Sequence, residues 1–194
     1  IEDGQVKNIK HISSLNIRIS RELTGCADKV MKYVYGNTLI ISPPGCGKTT
    51  ILRDIIRQIS NQGINISVVD ERCEISGMYL GNIQFDLGIC TDVLCCYSKS
   101  IGMNMMLRSM GPKIIAVDEI GSDEDILAIH NLLNSGVKII ATIHCDTIEN
   151  ILQKPFIENI VKEKIFDSYI ILNNNKKTGD LYKIYDKELN IVWQ

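Results

Sequence analysis

No run of apolar residues in this chain approaches the roughly 20 that a helix needs to cross a bilayer, and no secretory leader is visible at its start. Basic residues are not in excess either. The 21 Lys and Arg stand against 23 Asp and Glu, for a formal charge of −2 and a pI near 5.9. That balance argues against a protein held mainly on nucleic-acid backbones. Cys-x-x-Cys pairs are absent, and the cysteine count is seven, at Cys26, Cys46, Cys73, Cys90, Cys95, Cys96 and Cys145. An odd count in a chain of this size argues against a disulfide framework and fits a reducing cytosol. Cys90, Cys95 and Cys96 cluster, but no histidine stands at metal-ligand spacing beside them, so they read as small, partly buried residues. What remains is 194 residues, enough for one α/β domain with a short appendage and a core that needs no staples. The first residue is Ile1 rather than Met, which leaves open that the chain is a fragment with an N-terminal domain missing.

The most informative stretch is Ser42-Pro43-Pro44-Gly45-Cys46-Gly47-Lys48-Thr49-Thr50. An apolar strand pattern over 38–41 precedes it. A helix pattern over 48–60 follows, with Ile51, Leu52, Ile55, Ile56 and Ile59 on one face and Arg53, Asp54, Arg57 and Gln58 on the other. Strand, glycine loop, Lys-Thr and helix make the context of a phosphate-binding P-loop. Gly45 and Gly47 let the backbone curl so that N–H groups converge on an anion, and the helix start adds unpaired donors and partial positive charge. Pro44 through Thr50 are therefore expected to cradle the phosphates of a nucleotide, with Lys48 supplying full charge and the Thr49 hydroxyl ligating magnesium. Ser42 stands where the pattern usually has glycine.

From Asn37 onward, strands over 38–41, 64–69, 113–117, 137–143 and 168–172 alternate with helices over 48–60, 102–110 and 123–134. Such alternation predicts a mostly parallel sheet covered by helices on both faces. A helix is also read over 23–35, and a helical stretch broken at Pro155. The span 71–99 reads as irregular. The turn-rich 173–180 joins two β-like segments, predicting an antiparallel hairpin ending near Trp193. Residues 1–36 read as a linker or the remnant of an N-terminal domain, with Ile17 and Ile19 in a strand-like alternation, and 37–194 as the ATPase domain.

Three further strand ends carry polar groups to the edge where the P-loop sits. Ile114-Ile-Ala-Val-Asp118-Glu119 is an apolar strand ending in two carboxylates. Asp118 suits the magnesium shell, and Glu119 suits polarising a water. Asp70-Glu71-Arg72-Cys73-Glu74 offers Glu71 or Glu74 as helpers of Glu119 and Arg72 as a phosphate partner, unless the cluster is a self-neutralising surface group. Thr142 or His144, at the end of the fourth strand, could sense the terminal phosphate. Arg108, near the end of a Met-rich helix, is either an arginine acting on a neighbouring subunit or a plain helix-end charge.

These four stretches together resemble the secretion ATPase superfamily of RecA-like P-loop enzymes, which powers type II and type IV secretion and pilus machines. The residues departing from that pattern are Gly121, where an arginine often follows, and Asp118, where many members carry glycine. Ser42–Thr50, 69–77 and 108–121 resemble more closely the sporulation ATPases of endospore-forming bacteria, as does the segment 16–21 as a linker. The resemblance implies a RecA-like fold, magnesium-dependent ATP hydrolysis and a homo-oligomeric ring, hexameric by analogy. It also implies a mother-cell location at the cytoplasmic face of the channel to the forespore, with a membrane protein of that channel as partner and no nucleic acid. Arg18, Arg21, Arg72 and Arg108 become candidates for acting in trans. Read from the residues alone, a nucleic-acid motor and a non-hydrolysing nucleotide switch stay open beside the secretion motor.

Overall fold

The computed structural model describes residues 11–15, 22–153, 155–173 and 180–194. The expected strand at Ile17 and Ile19, together with Arg18 and Arg21, lies outside the described residues. The strands are β1 (Thr38–Ser42), β2 (Ile66–Asp70), β3 (Thr91–Cys95), β4 (Ile114–Val117), β5 (Lys138–His144), β6 (Ser168–Asn173), β7 (Asp180–Asp186) and β8 (Ile191–Trp193). They form one sheet in the order β3-β2-β4-β5-β1-β6-β7-β8. The pairings from β3 through β6 are parallel, and β7 and β8 add antiparallel pairs at one edge. The helices are α1 (Asp28–Met31), α2 (Lys48–Ser60), α3 (Lys99–Ser109), α4 (Asp123–Asn134), α5 (Ile148–Ile151) and α6 (Pro155–Lys162).

The parallel strands are buried on both faces, so alternate residues feed two cores. Leu39, Ile41, Val69, Ile115, Val117 and Ala141 face α3, α4 and α6. Ile40, Val68, Ala116 and Ile140 face the apolar stripe of α2. Helix starts follow local chemistry. Ser122 accepts from Asp125 N and the Asp125 carboxylate accepts from Ser122 N, a reciprocal cap at α4, and Pro155 begins α6, where its missing N–H costs nothing.

Four expectations need correction. β3 runs inside the span read as irregular; it is an edge strand, half-buried along its length, so no fully apolar run marks it. Only Asp28–Met31 of the helix expected over 23–35 is helical. α3 starts at Lys99, ahead of Gly102. Arg53 and Asp54, read as an outer polar face of α2, are buried, because residues 74–87 and 25–30 fold over that face. The Arg53 guanidinium lies 3.9 Å over the Phe85 ring and donates to Ile75 O and Glu74 O at 2.7 and 2.8 Å. Asp54 accepts from Ala27 N at 2.8 Å and from Arg57 at 2.7 and 2.9 Å. Ala27 and Val30, ahead of Asn37, are buried in the core under α2.

α3 approaches β2 through Gly102, where a Cβ would stand 2.4 Å from Val69 Cγ1. For Gly102→Ala, overpacking of about 1–3 kcal/mol opposes about 1 kcal/mol of helix propensity. A net loss of about 1 kcal/mol is expected in urea unfolding, and it should shrink when Val69→Ala makes room.

Candidate nucleotide site

The P-loop begins where β1 ends. Ser42 is buried, its hydroxyl donates to Pro43 O at 2.9 Å, and its carbonyl accepts from Cys145 N at 3.2 Å. Gly45 and Gly47 have φ of 75° and 84°, a left-handed backbone that glycine adopts at no steric cost. Gly47 is the N-cap of α2, and Lys48 and Thr49 are its first residues. Pro44 and Gly45 are exposed, Cys46 is buried, and Thr50 is half-buried. Lys48 is only 4% exposed. Burial lowers its pKa from the ordinary value, with the nearby Asp118 and Glu119 carboxylates opposing that shift.

β5 lies between β1 and β4, and its last residues join the two. Ser42 pairs with His144 in the β1–β5 register. Lys48 Nζ lies 2.8 Å from His144 Nδ1, and His144 Nε2 lies 2.5 Å from Glu119 Oε1. An ammonium only donates, so Nδ1 accepts, and Nε2 carries the proton donated to Glu119. Two residues earlier, the Thr142 hydroxyl donates to Asp118 Oδ1 and accepts from Glu119 N at 2.8 Å. Thr49 Oγ1 donates to Asp118 Oδ2 at 2.8 Å. Glu119 has φ of 53°, a conformation that a side-chain-bearing residue keeps only when its surroundings enforce it. The hydrogen bond from its N–H to Thr142 and the one from His144 to its carboxylate are that enforcement.

The acidic loop follows β2. Asp70 is buried and accepts from Ile75 N, Ser76 N and Ser76 Oγ at 3.2, 2.8 and 2.6 Å, which folds the loop back on the strand. Glu71 pairs with Lys99 Nζ at 2.5 Å, and Arg72 reaches Glu119 Oε2 at 3.3 Å with its side chain 70% exposed. Glu74 is half-buried. Asp70, Glu71, Arg72, Glu74, Lys99, Asp118 and Glu119 line one open cleft. Of the sequence candidates, Lys48, Thr49, Asp118, Glu119, His144, Arg72, Glu71 and Glu74 thus meet at one sheet edge. Arg108 does not join them. It is exposed in the last turn of α3, close to where Met110 O accepts from Asn65 at the start of β2, at the opposite edge. Lys99 was missed because nothing in its surroundings marks it. Thr142 was read as a phosphate sensor; its hydroxyl contacts the Asp118 carboxylate and the Glu119 backbone N–H, a link the sequence did not show.

The residues fit a magnesium–nucleotide pair. A glycine loop at a helix N-terminus and a buried ammonium suit phosphate oxygens. A hydroxyl and a carboxylate in contact offer the hard oxygens that magnesium takes beside phosphate. Glu119 is a carboxylate with one oxygen on a neutral imidazole and one on an exposed guanidinium, and it can accept a proton at the mouth of the cleft.

Known proteins share this sequence and this fold. The chain is 40% identical to stage III sporulation protein AA of Bacillus subtilis (strain 168), over 98% of this chain and 65% of that protein. It is 29% identical to the uncharacterized protein ycf45 of Cyanidium caldarium, over 87% of this chain and 52% of that one. The chain therefore spans between half and two thirds of these relatives' length. Among solved structures, the VirB11 ATPase of the Brucella suis type IV secretion system, in complex with sulphate, matches with a TM-score of 0.59 at 14% identity, over 82% of this chain and 50% of that one. The Legionella pneumophila ATPase DotB matches with a TM-score of 0.57 at 17% identity, over 74% and 43%. The pilus retraction motor PilT with bound ADP matches with a TM-score of 0.56 at 19% identity, over 81% and 49%. The fold is that of the RecA-like secretion ATPases. The model of the family described as sporulation stage III, protein AA matches residues 1–192, and the chain belongs to that family.

Proposed function

We propose that this chain is the magnesium-dependent ATP-hydrolysing motor of a secretion-type channel, working in the mother cell at the cytoplasmic face of the channel to the forespore. The observation that carries the reading is the continuous chain Lys48–His144–Glu119, with Thr49 and Asp118 beside it. A pure binding site needs the P-loop but gains nothing from a second carboxylate tethered to the phosphate lysine through a histidine. Lys48 has three donors, so it keeps His144 while donating to phosphate oxygens. Thr49 and Asp118 would hold magnesium, which neutralises charge on the phosphates when bound. Glu119, steadied by Thr142 and His144, takes the proton of the attacking water, and Glu71, Glu74 and Arg72 shape the cleft around it.

Assembly is part of the proposal. The cleft opens to solvent at Arg72 and Glu71, and the sequence resemblance implies a homo-oligomer, a hexameric ring, with an arginine completing the neighbour's site. Such an arginine is worth ~10³–10⁵ in turnover in related chemistry. Arg108, exposed at the far sheet edge, is one candidate for that role, alongside Arg18, Arg21 and Arg72. Among the described residues, no helix is long and apolar enough to cross a membrane. Membrane attachment is accordingly proposed through a membrane protein of the channel complex, without nucleic acid.

Glu119→Gln should lower ATP turnover ~10²–10⁴-fold while ATP binding persists, and parental turnover should rise per protomer with protein concentration. Undiminished hydrolysis in the variant would remove Glu119 from the mechanism. Thr142→Val keeps the side-chain shape but deletes the hydroxyl that holds Asp118 and the Glu119 amide. Its turnover should fall on the order of 10²-fold, as small misplacements of reacting groups do, with metal-free ATP binding unchanged; parental turnover would show that the hydroxyl positions nothing.

A further inference from the structure

The thiols of Cys73 and Cys96 have no part in the nucleotide site as described. β2 and β3 end side by side, Asp70 opposite Cys95. The carbonyl oxygen of Asp70 accepts from both Cys73 N and Cys96 N, each at 3.3 Å, so one atom anchors the two cysteine backbones. Both then take left-handed φ, 56° and 64°, a conformation uncommon for a residue with a Cβ. The Sγ atoms come to 3.6 Å of one another. A disulfide places them about 2.05 Å apart, so closure needs about 1.5 Å of approach. Cys96 is exposed and Cys73 partly so, which gives an oxidant a way in. Cys95 Sγ lies 3.4 and 3.9 Å from Ser76 Oγ and Asp70 Oδ2 and also contacts Cys73. Burial and hydrogen bonds with Cys96 and Cys95 push the Cys73 thiol up to about 12, leaving Cys96 to take the first oxidation step.

We propose that Cys73 and Cys96 form a reversible disulfide, and that closing it stiffens the loop carrying Arg72 and Glu74 at the mouth of the cleft. With a peroxide as oxidant, the Cys96 sulfur attacks one oxygen, the O–O bond breaks, and sulfenic acid and one water result. The Cys73 sulfur then forms the S–S bond, and the sulfenic hydroxyl leaves with the Cys73 proton as a second water. The two thiols lose two electrons and the peroxide gains them; a dithiol reverses the step. Reversible disulfides of this kind are the sort that reducing compartments tolerate. The loop feels the closure because Cys73 sits between Arg72, in contact with Glu119, and Glu74, whose carbonyl holds Arg53.

The full chain, treated with hydrogen peroxide, alkylated and digested, should yield a Cys73–Cys96 linked peptide pair lighter by two hydrogens. Dithiothreitol should reopen it, Cys95→Ser should keep it, and Cys96→Ser and Cys73→Ser should each abolish it. Amide exchange over 71–77 should slow several-fold on oxidation, and not in oxidised Cys96→Ser or Cys73→Ser. A Cys73–Cys95 link, or oxidation of Cys96 with no link, overturns the pairing; a link that leaves exchange unchanged overturns the stiffening. Neither readout involves nucleotide, so the outcome stands apart from the fate of the ATPase reading.

Discussion

The position of β5 between β1 and β4 constrains the candidate nucleotide edge. The glycine-rich loop leaves β1 and the carboxylates leave β4, two ladders away across β5, and Thr49 spans that gap directly by donating to Asp118 at 2.8 Å. The link from Lys48 to Glu119 passes through the last residues of β5. Thr142 and His144, two apart, point to the same face of the strand. The first fixes Asp118 and the Glu119 backbone, and the second joins Lys48 to the Glu119 carboxylate. The apolar burial of Ala141 and Ile143 keeps that strand from slipping by a residue, which would turn both polar groups to the wrong side.

The histidine solves an electrostatic problem. Lys48 is buried, and a buried ammonium without partners costs several kcal/mol. A direct Lys–Glu pair would meet that cost, but it would bind both charges to each other and withhold them from phosphate and water. A neutral imidazole between them accepts from one and donates to the other, so each charge is satisfied while the lysine keeps donors and the carboxylate keeps lone pairs. Asp118 and Glu119 still stabilise the ammonium through space.

Much of this edge was legible in sequence because each chemical group follows its own apolar run: Ser42–Thr50 after β1, Asp70 after β2, Asp118-Glu119 after β4, His144 at the end of β5. The parallel sheet and the helix stripes were legible for the same reason, as periodicity records burial. Contacts made by segments with no periodicity of their own were not. β3 is half-buried and carries polar ends; Lys99 looks like any helix-start lysine; the Cys73–Cys96 contact depends on two left-handed residues meeting at one carbonyl. The outer face of α2 misled for a related reason. A polar stripe normally marks solvent, but here it marks a second interface, wet in composition and buried in fact.

That second interface bears on the site. Arg53 stands five residues after Lys48, just over one helical turn along α2, and its guanidinium grips the carbonyls of Glu74 and Ile75 while lying on Phe85. A planar fork can hold two carbonyls and a ring face at once, which a lysine cannot do. Asp54 beside it holds Ala27 N through a carboxylate whose hydrogen bonds outweigh the desolvation that would raise its pKa, leaving it lowered. The helix that begins at the phosphate loop is therefore bolted to the acidic loop on one side and to the segment entering the domain on the other. A displacement of α2 driven at Lys48 and Thr49 cannot remain local. It must carry the backbone of Glu74, and with it the loop bearing Arg72, and it must pull on the residues that lead into β1.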